Sequence, residues 1–164
     1  MNKKTSTSSN QPENVWDYPR PPAVEDVPQR IRIVFNDELI TNSQNAKRVL
    51  ETSHPPVYYI PLKDIKPNVL LPTSGSTWCE WKGEASYYDV RVGNVTAKRA
   101  AWYYPNPSPK YFEIKDYVAF YASKMDACFV GSERVRSQKG DFYGGWITSN
   151  LVGPFKGGPR TSGW

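Results

Sequence analysis

Between Thr77 and Tyr88 the chain reads Thr77-Trp-Cys-Glu-Trp-Lys-Gly-Glu-Ala-Ser-Tyr-Tyr88, with Lys82 flanked by Glu80 and Glu84 and by the rings of Trp78 and Trp81. Aromatic faces beside a charged amine suit a β-lined pocket for a ligand that is part apolar and part anionic. The same residue types also build an ordinary core with a salt-bridged strand edge. A second constellation is Glu51-Thr-Ser-His-Pro-Pro56, which holds the only histidine of the chain. Acid–base chemistry needs a carboxyl or imidazole group whose pKa burial has moved. Glu51, His54 and Glu84 are therefore the candidate acid–base groups, and Cys79 the candidate nucleophile. A thiol needs a base within reach, and His54 is the only imidazole that could serve Cys79 or Cys128.

Other chemistries are poorly served. The chain has no Gly-x-Ser-x-Gly elbow, no Walker loop and no Rossmann glycine fingerprint. Two cysteines and one histidine cannot supply a four-ligand zinc site or a disulfide framework. No metal and no cofactor is expected. The formal charge is +5 and the pI about 9.1, yet no basic run exceeds two residues, as in Lys98-Arg99. That favours a solvated basic surface, and specific nucleic-acid binding is not expected. The first residues lack the apolar core of a secretory signal, and no window approaches the ~20 apolar residues of a membrane span. The expectation is a soluble cytoplasmic protein with reduced thiols and no membrane partner.

Short strands must position these groups. Fifteen prolines and eleven glycines in 164 residues punctuate the chain too often for long helices. Arg30-Ile-Arg-Ile-Val-Phe35 alternates with a period of two, and Asn36-Asp37 turns it into a first hairpin. Residues 45–52 fit a helix or a strand, while Pro55-Pro56 makes a corner before the strand Val57-Tyr-Tyr-Ile60. Residues 61–66 suggest a short helical turn and residues 73–76 a loop. Alternation over 77–82 puts Cys79 and Trp81 on one face and Glu80 and Lys82 on the other. Lys82 then joins the rings only if Gly83 forms a bulge that redirects the chain. Residues 85–92 form a strand with Tyr88, Val90 and Val92 on its apolar face. Gly93-Asn94 is a hairpin turn, followed by strand candidates over 95–98 and 100–104. The pairs Tyr58-Tyr59, Tyr87-Tyr88 and Tyr103-Tyr104 should each send one ring inward and one outward. Residues 127–135 read as a last hairpin, ahead of a glycine-rich tail with spaced aromatic residues.

Three regions follow: a flexible N-terminal arm over 1–29, a β domain over 30–121, and a C-terminal hairpin and Gly/aromatic-rich extension over 122–164. Residues 1–15 are polar enough to be disordered. Trp16 and Tyr18 would be wasted in a free tail, so the arm is expected to lie across the domain.

Four segments together carry a family resemblance: Arg48-Val-Leu-Glu-Thr-Ser-His-Pro-Pro-Val-Tyr-Tyr-Ile-Pro61, the stretch from Thr77 to Tyr88, Ala100-Ala-Trp-Tyr-Tyr-Pro105 and Val118-Ala-Phe-Tyr121. Over residues 30–121 the chain resembles the domain of unknown function 427 family. The resemblance implies a mainly β fold, a compact single domain of curved antiparallel sheets of the Mss4-like kind enclosing a cleft. It also tips residues 45–52 towards extended structure. Some relatives of that fold bind zinc through two Cys-x-x-Cys pairs; neither pair exists here. Members are sometimes labelled nucleotidyltransferase-like, a chemistry that wants Gly-Ser followed by paired aspartates. No such pair follows Gly75-Ser76 or Gly131-Ser132.

Three functional expectations result. First comes a cleft lined by Tyr59, Trp81, Tyr88 and Trp102, with Lys82 and Glu51 supplying charge, that binds a small anionic or aromatic molecule. Second is an enzyme using Glu51 or Glu84 with His54 or Cys79 in that cleft. Third is an interaction protein whose arm or tail docks a partner or forms a homo-oligomer.

Overall fold

The computed structural model describes residues 11–140, 142–158 and 160–164. Of the disorder expected over residues 1–15, residues 1–10 lie outside them, while Glu13 and Asn14 pair as a strand and Val15 is buried, because this part of the arm packs on the domain. The protein is mainly β, built from several antiparallel sheets and short 3₁₀ turns. Among the described residues no helix is long and apolar enough to cross a membrane.

Alternation in the sequence becomes alternation in burial. Strand β3 (Ile31–Phe35) buries Ile31, Ile33 and Phe35 and leaves Arg32 and Val34 half-buried. It pairs with β4 (Glu38–Ser43) on one side and β11 (Ala127–Val130) on the other, and β12 (Glu133–Arg134) extends that sheet. Asn36 and Asp37 both take positive φ at the β3–β4 turn, a geometry that these two residue types tolerate.

The second layer is longer. One four-stranded sheet has the order β10 (Val118–Phe120), β9 (Val95–Tyr103), β8 (Gly83–Val92), β7 (Leu70–Cys79). A three-stranded sheet has the order β2 (Ala23–Asp26), β5 (Lys47–Leu50), β6 (Val57–Tyr59). Ile60 and Val118 exchange two 2.8 Å backbone hydrogen bonds and join β6 to β10, so the two run on as one curved surface.

Each face of that surface covers a separate core. Tyr58, Ile60, Val90, Val118 and Phe120 pack against Ile31, Ile33 and Phe35 in the first. Val49, Tyr59, Ala85, Tyr87, Trp102, Tyr104, Ala119 and Tyr121 form the second on the opposite face. A fully buried aliphatic or aromatic side chain is worth about 1.5–3 kcal/mol. The two-residue period thus stabilises both layers from single strands.

Three local expectations are corrected. The sequence of 77–82 does not run on as one strand with a bulge at Gly83. Instead β7 ends at Cys79, Glu80, Trp81 and Lys82 form the hairpin turn, and Gly83 opens β8 with φ +104, which a residue with a Cβ adopts only under strain. Residues 73–76 lie within β7, where the register slips around Gly75, because the partner strand continues past them. Residues 95–98 and 100–104 are one strand, β9, with Arg99 held at positive φ by its N–H bond to Asp89 Oδ1.

The ends of the chain fold onto this frame and onto each other. β1 (Glu13–Asn14) runs parallel to β15 (Leu151–Val152). The Trp16 indole N–H donates to the Pro154 carbonyl at 2.8 Å, and its ring meets Trp164 edge-on at 5.1 Å. Val15 is fully buried, and the Glu13 carboxylate accepts bonds from Arg48 and from the Tyr18 hydroxyl. In the tail, β13 (Arg136–Ser137) pairs with β14 (Trp146–Ile147), and Trp146 stacks on Tyr58 while donating to the Phe120 carbonyl.

Candidate functional site

The second core does not close. Above Tyr59, Tyr87, Trp102 and Tyr104 lies a cavity of about 310 Å³, at the small end of the usual range for ligand pockets. Tyr59, Tyr87 and Trp102 come from β6, β8 and β9, and Tyr104 follows directly after β9; strand parity aims them at one side.

The β7–β8 hairpin turn makes the next wall. A three-residue turn lets both Trp81 and Lys82 reach the cavity beside Cys79. The turn is pinned from outside, because the Ser108 N–H donates to the Lys82 carbonyl at 3.0 Å. Lys82 is 7 % exposed, and its Nζ lies 5.7 Å from the Tyr104 ring centroid. Among the described residues it has no carboxylate partner and no hydrogen-bond acceptor, and its amine is not sealed from water but opens into the cavity.

The Pro55-Pro56 corner presents Glu51 and His54. Arg20, from the arm, approaches Glu51 Oε2 at 3.7 Å, and His54 Nε2 lies 3.7 Å from the same oxygen. Burial first, and then the charges of Lys156, Arg20 and Lys82, lower the His54 pKa to about 4. The imidazole is therefore neutral at pH 7, and its proximity to Glu51 is a polar contact, not an ion pair. The carboxylate's charge is met by Arg20.

The tail supplies the remaining wall through Phe142, Tyr143, Lys156 and Trp164. Tyr143 meets His54 edge-on at 4.7 Å, and Lys156 Nζ sits 5.5 Å from the Tyr143 centroid. The tail can come this close because Gly144 lies directly on Trp102, where an added Cβ would stand 2.4 Å from the indole.

Of the residues singled out in the sequence, Glu51, His54, Tyr59, Cys79, Trp81, Lys82 and Trp102 line this one cavity. Tyr88 and Glu84 do not. Tyr88 points to the first core and stacks on Tyr103 at 4.5 Å, where burial, and then Tyr103, push its hydroxyl up to about 12. Its neighbour Tyr87 takes the place in the pocket. Glu84 is exposed and accepts a 2.7 Å bond from Ser76 Oγ. Cys128 lies in the first core, where burial raises its thiol pKa, and the sheet separates it from His54. Sequence reasoning missed Tyr87 and Tyr104, the other members of pairs already noticed. It also missed Arg20, for which the expected path of the arm across the domain was the signal, and Tyr143, Lys156 and Trp164, for which the spaced aromatic residues of the tail were the only signal. Among the described residues no group of three or more His, Cys, Asp or Glu side chains is placed to hold a metal ion.

Residues 23–131 match the family described as domain of unknown function (DUF427). A mainly β chain with an aromatic pocket on one sheet face is thus a member of that family, which the match over most of its length establishes. No curated protein matches the chain. The matched segment holds the floor of the pocket and the Lys82 turn; Arg20 and the whole tail wall lie outside it.

Proposed function

We propose that this protein binds a small molecule carrying an acidic group on an aromatic or otherwise apolar body. The observation that carries this reading is Lys82, a buried amine without a carboxylate partner among the described residues, facing a cavity walled by rings. A charged amine confined against ring faces in a small cavity has few water neighbours and favours an anion beside it. An acidic ligand would supply that partner, and Tyr59, Tyr87 and Trp102 would enclose its apolar body. Neutral His54 adds one donor or acceptor for a polar substituent. The Glu51–His54 separation exceeds hydrogen-bond reach, so the binding reading stands ahead of acid–base catalysis.

Native mass spectrometry on protein purified from its own cells tests this. A bound small molecule of defined mass should accompany the wild type and be absent from Lys82→Met and Trp81→Ala. Lys82→Met should melt no lower than the wild type, since it removes an uncompensated charge. An adduct that persists in the folded Lys82→Met protein, or none in the wild type, would sink the reading.

A further inference from the structure

Among the described residues, two amines in this pocket lack a carboxylate. Lys82 is one. The other is Lys156, whose Nζ makes a single 3.4 Å bond to the Ser162 carbonyl and lies over Tyr143, with no ion-pair partner among the described residues. Arg20 is a different case, because Glu51 at 3.7 Å offsets its charge. The remaining carboxylate of the lining, Glu80, is exposed at the outer edge of the hairpin turn. Lys156, Arg20 and Lys82 all line the cavity that His54 lines. Among the described residues, Lys82 and Lys156 are thus the lining cations without an ion pair.

We infer that the ligand of this pocket is a dianion, with Lys82 meeting one of its charges and Lys156 the other. This rests on the pocket being an anion-binding site and adds both the ligand's charge and the segment that selects it. A monoanion would pair with one of the two amines only; a dianion pairs with both. Lys82 lies within the family-matched residues and Lys156 beyond them. The first charge is therefore read by the shared domain and the second by the tail of this chain. Two arrangements satisfy the chemistry: both charges on one phosphate-like group, or one carboxylate at each end of a flat body.

Calorimetric titration of the full chain at pH 7.5 with benzoate, phenyl phosphate and terephthalate separates these cases. The second phosphate proton is lost near pH 6, so phenyl phosphate is then a dianion. At least one of the two dianions should bind about tenfold more tightly than benzoate, and which one does so reports the charge spacing. Lys156→Met should bring that ratio to about one, Lys156→Arg should restore it, and Lys82→Met should remove binding of every probe. Lys156→Gln replaces Lys156→Met if the latter does not fold. Equal affinity for benzoate and both dianions, or a preference that survives neutralisation of Lys156, overturns the dianion inference and leaves the pocket as a monoanion site. Failure of all three probes to bind the wild type overturns both readings.

Discussion

His54 is the residue whose environment has the clearest thermodynamic consequence. Its ring is buried against Tyr143, and burial together with Lys156, Arg20 and Lys82 opposes its protonation, while Glu51 faces it without an ion pair. With a folded pKa of about 4 against 6.5 unfolded, the unfolded chain binds the extra proton throughout that interval. Stability from this group is complete above pH 6.5 and is lost as pH falls towards 4. The full effect is about 3 kcal/mol at 1.36 kcal/mol per pKa unit. Urea unfolding from pH 7 to pH 4 should show this decline, and His54→Gln should flatten it. An equally steep decline in the variant would place its origin elsewhere, for instance in Glu13. There burial pulls the carboxyl upward, but the bonds from Arg48 and Tyr18 outweigh it and hold the pKa below its usual value.

At the level of elements, strand parity was readable and its direction was not. The period-two pattern placed the alternating residues of β3, β6 and β8 on opposite faces. Which face meets a pocket depends on what lies across the sheet, and that is set by contacts distant in sequence. Tyr88 therefore looked like a pocket residue from its apolar neighbours Val90 and Val92, which in fact mark the face of the first core. The β7–β8 turn was hidden for another reason. Trp78, Cys79, Glu80, Trp81 and Lys82 alternate well enough to pass for a strand, and only the pairing of Cys79 with Gly83 shows where it folds back. The tail offered least, because its elements are two residues long and its order comes from seating glycines on the domain. Gly144 is the tightest test of that seating. An alanine there combines φ +74 with a contact 2.4 Å from Trp102. Gly144→Ala should cost about 2 kcal/mol or more and lift the tail from the indole. Limited proteolysis should then cut residues 136–158 in the variant sooner than in the wild type. Equal cutting rates and equal melting temperatures would show that the neighbours yield.

Across the whole molecule, arm and tail hold each other. Glu13 is tied to Arg48, Trp16 to Pro154 and Trp164, and β1 to β15. Trp16→Ala removes the ring and the hydrogen bond that join the two ends, while Trp16 itself is exposed. It should therefore loosen the clasp by about 1–2 kcal/mol without unfolding the sheets. Amide hydrogen exchange would report this as faster exchange at Glu13 and Leu151 together, with β8 and β9 unchanged. Acceleration at Glu13 alone would mean that the ends are held separately. The clasp joins residues 138 apart in sequence, among the widest separations in the fold. Contacts so far apart form late, and the ribosome delivers Lys156 and Trp164 after every strand of both cores, β14 with Trp146 included. A nascent chain can therefore complete its sheets while the cavity still lacks part of its wall, so the cavity takes its full outline only in the final act of folding.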